Sequence, residues 1–315
     1  MAFTVFGMNA ALLVVWITLG HQLYKPLPQL LYGHNRLQSL YLWDVDCPSL
    51  ISICPHERML LQGLNTHSVA QWSPDGAYIA VYLSESWAIY PADCLINNQP
   101  CIPWRLDPSA NEIRIAWGPN GTTLAYITNS TSGDMKILTR GCWDSSAGNC
   151  FEQTVKIVPK GVLRQPTWSA NGGRFVFQGL KPQGLFLLEA ECLDEPEQCI
   201  DRMQLVPVSK WPVYWPSLSA DGKRLLYFAE TVDGIEELYV TDIDSGTTQQ
   251  IAYREGGASV PVWSSDELYI AFAGFQSRSS GDLSIYLYDV DRQLTALAIH
   301  QDGADFNYPA WNPRS

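Results

Sequence analysis

The sequence predicts an all-β protein, a ring of six four-stranded sheets closed by its N-terminal strands plus its C-terminal strand and preceded by one apolar helix. Three observations predict it. A strand–turn–strand stretch, "QWSPDGAYIAVY" at residues 71–82, recurs from Ala116, Thr167, Ser217 and Val262, with a cut-off copy, "AWNPRS", at the end. Aligned on one mostly aromatic station (Trp72, Trp117, Trp168, Leu218, Trp263, Trp311), the copies are 45, 51, 50, 45 and 48 residues apart. A period of roughly 40–50 residues holding several short strands is the signature of β-propeller blades. Finally, the region from Gln29 matches the second, third and fourth strands of a unit, and "YPAWNPRS" is a first strand alone. Together they make one blade, which closes a six-bladed β-propeller and removes an exposed sheet edge.

Residues 1–24 carry no charged side chain, and "FTVFGMNAALLVVWITLG" is an apolar run of 18 residues. That is long enough to cross a bilayer as a helix, with Trp16, Tyr24 and Lys25 at the far interface. The rival is a cleaved signal peptide, with "TLG" before His21 as the cleavage site. The missing positive n-region and the length of the run favour an uncleaved transmembrane or signal anchor. The propeller is expected over 25–315, with a split blade at 28–63 plus 309–315 and whole blades at about 66–108, 112–159, 163–207, 213–252 and 258–300.

Within a unit, Pro166, Pro216, Pro261 and Pro309 stand two places before the aromatic station. A proline there suits the first residue of a strand, which needs no ladder donor. Asp75-Gly76, Asn120-Gly121, Asn171-Gly172 and Asp221-Gly222 then give a tight turn, glycine supplying the positive φ. Asp266-Glu267 lacks the glycine and is expected to turn differently. The large residues of the aromatic station, recurring at the same place in each unit, are expected to pack between blades.

Eight cysteines fall into four close pairs, Cys47 with Cys54, Cys94 with Cys101, Cys142 with Cys150, and Cys192 with Cys199. Each lies at a third-to-fourth-strand turn, and such local, regular spacing reads as four hairpin disulfides in an oxidising compartment. Loop closure makes each worth ~2.5 kcal/mol. Zinc pairs are spaced more tightly. The propeller is therefore expected outside the cytoplasm, periplasmic or extracellular. The net charge of −12, with no Lys/Arg block, excludes a phosphate-binding face and hence nucleic acid.

The pattern carried in full by "WSPDG" at Trp72 to Gly76, and more loosely by "WGPNG", "WSANG", "LSADG" and "WSSDE", resembles the propeller repeats of the TolB family, also called WD-like or PD-type β-propellers. The resemblance covers nearly everything after Gln29 and implies the fold. Similar propellers serve as periplasmic binding partners and as lid-like domains of prolyl-oligopeptidase-type peptidases. This sequence departs from both, matching neither the extra N-terminal domain of the periplasmic TolB protein nor a hydrolase domain.

No catalytic set is visible. A nucleophile elbow is missing, "GGASVP" near Ser259 lacking its second glycine. The five histidines are scattered without ligand spacing, and no phosphate-binding glycine loop is present. "DVDC", "DIDSG" and "DVDRQ" lack a full calcium ligand set and read as Asp-stabilised turns. No cofactor or metal is implied. Non-repeated residues just before each first strand, where propellers usually bind ligands, are the binding candidates: His67, Arg114, Arg164, Tyr214 and Trp215 in "KWPVYWP", Asn307 and Tyr308. Aromatics with nearby Arg suit protein contacts or sugar stacking. The expected function is a non-enzymatic, membrane-anchored interaction scaffold or accessory subunit working with a membrane or envelope protein. The alternative is a module binding a peptide, glycan or small molecule in the channel.

Overall fold

The structure is a computed structural model. It describes residues 29–44, 57–64, 69–83, 86–106, 115–129, 134–156, 163–180, 183–194, 201–208, 212–231, 234–251, 258–275, 281–300 and 305–314. The expected anchor over 1–24, the Cys47 and Cys54 pair, Cys199, His67 and Arg114 lie outside the described residues.

Six four-stranded antiparallel sheets form the blades. In blade 1, β1 (Gln29–His34), β2 (Ser39–Asp44) and β3 (Glu57–Gln62) are joined by the last strand, β24 (Phe306–Trp311), in the order β24-β1-β2-β3. Leu30 stands opposite Trp311 and His34 opposite Phe306, so the two ends of the described chain close one sheet. Blade 2 holds β4 (Ala70–Trp72), β5 (Tyr78–Leu83), β6 (Ser86–Pro91) and β7 (Trp104–Arg105). Blade 3 holds β8 (Ile115–Trp117), β9 (Thr123–Asn129), β10 (Asp134–Thr139) and β11 (Glu152–Lys156). Blade 4 runs β12 (Leu163–Trp168), β13 (Arg174–Leu180), β14 (Gln183–Glu189) and β15 (Gln204–Leu205). Blade 5 runs β16 (Val213–Leu218), β17 (Arg224–Glu230), β18 (Glu236–Asp242) and β19 (Thr248–Gln250). Blade 6 runs β20 (Ala258–Trp263), β21 (Tyr269–Phe275), β22 (Leu283–Asp289) and β23 (Leu294–Ile299).

Middle strands are buried on both faces because each blade is sandwiched between two others. In β17, Leu225, Tyr227 and Ala229 pack towards blade 4, while Leu226 and Phe228 pack towards blade 6. That is why "RLLYFAE" reads as a continuous apolar run rather than an alternation. Directly opposite aromatics on the second and third strands stack in four blades: Tyr32–Tyr41, Phe177–Phe186, Tyr227–Tyr239 and Phe272–Tyr286, with centroids 5.6–5.9 Å apart. Each such pair adds ~0.5–1.5 kcal/mol beyond its buried area. The aromatic station packs between blades as expected, Trp72, Trp117, Leu218 and Trp311 belonging to four different inter-blade clusters.

The turn after the first strand is a repeated device. Ser73, Ser169, Ser219 and Ser264 are buried, and each hydroxyl donates to the Asp or Asn two residues on at 2.6–2.7 Å. Gly76, Gly172 and Gly222 have φ of +63°, +76° and +73° there. The expectation that Asp266-Glu267 turns differently is wrong. Glu267 adopts φ +58°, donates its N–H to Ser264 O, and keeps the same turn. Its carboxylate compensates, accepting from Ala220 N–H at 2.6 Å and pairing with Arg224.

The prolines also sit elsewhere than expected. The first strands begin three residues earlier, and Pro166, Pro216, Pro261 and Pro309 lie inside them. The residue before each proline (Gln165, Trp215, Val260, Tyr308) is left-handed, with φ of +50° to +56°, and the pairing register shifts there. A bulge on an edge strand leaves one residue out of the ladder, so a proline is tolerated.

Disulfides join Cys94 to Cys101 and Cys142 to Cys150. Cys192 is also disulfide-bonded. The turns they brace hold short helices that the sequence reading missed, α1 (Ala92–Ile96) and 3-10 turns at Arg140–Cys142 and Ala190–Asp194. Among the described residues no helix is long and apolar enough to cross a membrane.

Candidate functional site: the central channel

The first strands of all six blades surround a channel with a cavity of about 510 Å³. Its wall is the aromatic station, Trp72, Trp117, Trp168, Leu218, Trp263 and Trp311. The wall is chemically lopsided. Trp168 Nε1 donates to Gly172 O and Trp263 Nε1 to Ser217 O, both at 3.3 Å. In the three consecutive blades 1, 2 and 3, the indole N–H groups of Trp311, Trp72 and Trp117 are buried and have no hydrogen-bond partner among the described residues.

One rim is made of the repeated turns, and its charges are spent on holding blades together. Arg140 of blade 3 reaches Asp75 of blade 2 at 2.7 Å and its own Asp144 at 3.2 Å, and Tyr78 Oη donates to Asp144 at 2.7 Å. Burial alone would raise the Asp75 pKa, but hydrogen bonds from Ser73, Ala77 N–H and Arg140 hold it below the ordinary carboxylate range. Ser146, Tyr78 and Arg140 hold Asp144 lower still. Arg174 of blade 4 pairs with Asp244 of blade 5 at 3.0 Å, Arg224 of blade 5 with Glu267 of blade 6, and Arg314 donates to Asp75 O of blade 2 at 2.5 Å. The "DIDSG" and "DVDRQ" aspartates are turn acceptors: Asp242 accepts from Ser245 N–H at 2.8 Å and Asp289 from Arg292 N–H at 2.9 Å.

The opposite rim, where the first strands begin, is built from the four left-handed residues. Gln165 Oε1 accepts from the backbone N–H of Trp215 at 2.6 Å, tying blade 4 to blade 5. The Trp215 ring meets Tyr308 edge-on, with centroids 6.1 Å apart and planes at 69°. Blade 6 lies between them, β20 packing beside both β16 and β24. The pair therefore spans the channel entry in front of Val260, which lines the channel with Tyr308. The positive φ explains this reach. A left-handed residue throws its side chain off the regular strand alternation, out of the ladder and towards the entry.

Of the sequence candidates, Trp215 and Tyr308 are brought together here. Tyr214 is half-buried opposite Phe228, and Asn307 is buried opposite Gly33; neither lines the channel cavity. Arg164 is in β12, its backbone opposite Gln178. The sequence reading missed Gln165 and Val260. Their only signal is the proline that follows each of them, shared with Trp215 and Tyr308. Among the described residues no group of three or more His, Cys, Asp or Glu is arranged to hold a metal ion.

No protein-family model matches the sequence, and no curated protein matches it. Solved structures match the fold. A TolB structure from Acinetobacter baumannii superposes with a TM-score of 0.66 at 14% identity, covering 90% of this chain and 66% of its own. The chain thus spans just under two thirds of that protein's length. A chain from a nidogen/laminin complex superposes with a TM-score of 0.65 at 7% identity, covering 90% of this chain and 98% of its own. These identities speak for architecture alone, and in architecture the chain is a six-bladed TolB-like β-propeller.

Proposed function

We propose that this propeller is a non-enzymatic interaction module of the cell envelope that grips a segment of a partner protein at the channel entry. The observation that carries the reading is the Trp215–Tyr308 pair, presented across the channel by two left-handed, proline-locked backbones. Rigid aromatic anchors at low entropy cost are what protein-contact hot spots are made of. The opposite rim has its arginines and carboxylates engaged with one another, which leaves the entry rim as the surface with chemistry to offer. The disulfides support an oxidising, extracytoplasmic setting. The apolar run within residues 1–24 would hold the ring close to the bilayer, favouring a partner that is itself in the membrane.

A photo-crosslinking residue at position 308 of the full chain, in native membranes, tests this. A discrete protein adduct is expected, lost on Trp215→Ala and absent with the crosslinker at exposed Leu205. Equal adducts from both positions, or none from 308, would refute the reading. A second reading, a small ligand or peptide inside the channel, is favoured by the three partnerless indole N–H groups and a volume in the range of ligand pockets. It requires the purified, partner-free protein to bind a carbonyl-bearing peptide or glycan.

A further inference from the structure

Away from the channel, blades 1 and 6 line a second cavity of about 260 Å³ that opens to solvent beside Glu57. Strand alternation places most of its lining on one face of blade 1: Tyr32 and His34 from β1, Tyr41 and Trp43 from β2, Glu57 from β3, and Phe306 from β24; the end of blade 6 adds Ile299 and His300, whose Nδ1 lies 3.0 Å from Ser284 Oγ. Blade 5 shows what the same stations do when they are purely structural. There Tyr227 stacks on Tyr239, its hydroxyl bonds Thr241 at 3.0 Å, and Thr241 bonds Thr248 at 2.8 Å. Tyr227 and Thr241 are wholly buried, and the hydroxyl chain is closed. Register puts Tyr32, Trp43 and Glu57 at the stations of Tyr227, Thr241 and Thr248. In blade 1 the tyrosine is equally buried, but among the described residues its hydroxyl makes no hydrogen bond of ordinary geometry; it faces the Glu57 carboxylate loosely, and the chain of hydroxyls is replaced by a cavity, an indole and that carboxylate.

A buried hydroxyl without a well-formed hydrogen bond costs stability, so there is room for a further partner from outside. The surroundings define that partner. Glu57 is exposed at the cavity mouth and forms no ion pair with a described cation, and it acts on both Tyr32, by charge and hydrogen bonding, and Tyr41, by charge; burial first and Glu57 second raise their hydroxyl pKa values. The Tyr32 and Tyr41 rings are stacked at 5.6 Å, and Phe306 and His34 close the wall edge-on at 4.9 Å. His34 Nδ1 accepts from Leu37 N–H at 3.3 Å, and burial lowers the His34 pKa, so the His34 imidazole adds no charge that would repel a cation. Aromatic walls with one carboxylate favour an organic cation. With its proton turned to the Glu57 carboxylate, the Tyr32 oxygen has only acceptor capacity left, which an N–H donor fills and a quaternary ammonium cannot.

We infer that the cavity between blades 1 and 6 binds a primary ammonium group on a short alkyl stem, with N–H donated to Tyr32 Oη and the Glu57 carboxylate and the stem laid against Tyr41, Trp43 and Phe306. A lysine side chain and a free alkylamine share this chemistry. The site is separate from the channel and stands whether or not the channel reading does.

Calorimetric titration of the full chain tests it with four probes: n-butylammonium, Nα-acetyl-lysine methylamide, tetramethylammonium and butyrate. Butylammonium is expected to bind, tetramethylammonium at least ~fivefold more weakly, and butyrate not at all. Tighter binding of the lysine derivative would identify a protein lysine as the source; binding of butylammonium alone would identify a free amine. Glu57→Gln should weaken binding about tenfold and Tyr32→Phe about fivefold. Tyr32→Phe removes a hydroxyl that makes no well-formed hydrogen bond, so its melting temperature should fall less than that of Tyr227→Phe, which breaks the blade 5 chain. Absence of butylammonium binding, equal binding of butyrate, or unchanged binding by Glu57→Gln would overturn the inference.

Discussion

At one rim of the channel Ser73, Ser169, Ser219 and Ser264 each make the same hydrogen bonds in the same turn. At the other rim Gln165, Trp215, Val260 and Tyr308 share a backbone conformation, a bulge and a following proline, but no side-chain chemistry. The first rim solves a folding problem once and repeats the answer, so its residues are interchangeable between blades. The second keeps the backbone and varies the side chain. Variation over a fixed geometry is what a binding surface requires, since the scaffold holds unlike groups in place at one entry. The four left-handed residues carry backbone strain of ~1–2 kcal/mol each. The bulges and prolines hold them in place.

Substitutions separate the two rims by what they damage. The largest effect belongs to the wall that joins them. Trp311→Ala empties a buried station of the closing strand and should cost ~3–5 kcal/mol, read from the denaturant midpoint. On the repeated rim, Ser219→Ala strips Asp221 of a donor and Arg224 N–H of its acceptor at a fully buried site, and should cost ~1–3 kcal/mol. Trp215→Ala on the entry rim should cost less than ~1 kcal/mol while abolishing partner capture. A loss of stability as large as that of Ser219→Ala would erase the distinction between the rims.

Acid should act through the repeated rim. The folded pKa values of Asp75 and Asp144 lie below their unfolded values, so their contribution is fully present above about pH 4 and is lost as pH falls through the folded values. Melting temperature should drop between about pH 4 and pH 2. The double variant Asp75→Asn with Asp144→Asn should start lower and fall less steeply. The smallest effect is the most specific. Val260 is β-branched at φ +53°, so Val260→Gly relieves strain and should leave stability within ~0.5 kcal/mol or raise it. Val262→Gly, two residues on in regular strand, should lower it by ~1 kcal/mol.

What repeats was legible in the sequence. The aromatic station, the Asp-Gly and Asn-Gly turns and the complementary end fragments follow from spacing alone, and they fix six blades and the β24–β1 closure. What departs from the repeat was read less well. Glu267 keeps a glycine turn because Ala220 N–H and Arg224, both from the neighbouring blade, hold it there, and no local pattern shows that. The prolines were visible but their meaning was inverted, since a proline marks a strand start and a bulge equally well until the register is known. Trp215 and Tyr308 are among the sequence's binding candidates, yet their contact across blade 6 depends on side chains leaving the strand alternation at a positive φ. The Tyr32 cavity needed the structure altogether, because "LLYF" and "LLYG" look alike and differ only in what Thr241 and Trp43 bring to the same hydroxyl.

Hydrogen exchange of the full-length protein, alone and with its crosslink-identified partner, tests the central claim most directly. New protection is predicted in the entry-rim strands 163–168, 213–218 and 306–311, with the turns at 73–78, 169–174 and 219–224 unchanged. Protection confined to those turns, with the entry strands exchanging as before, would contradict it.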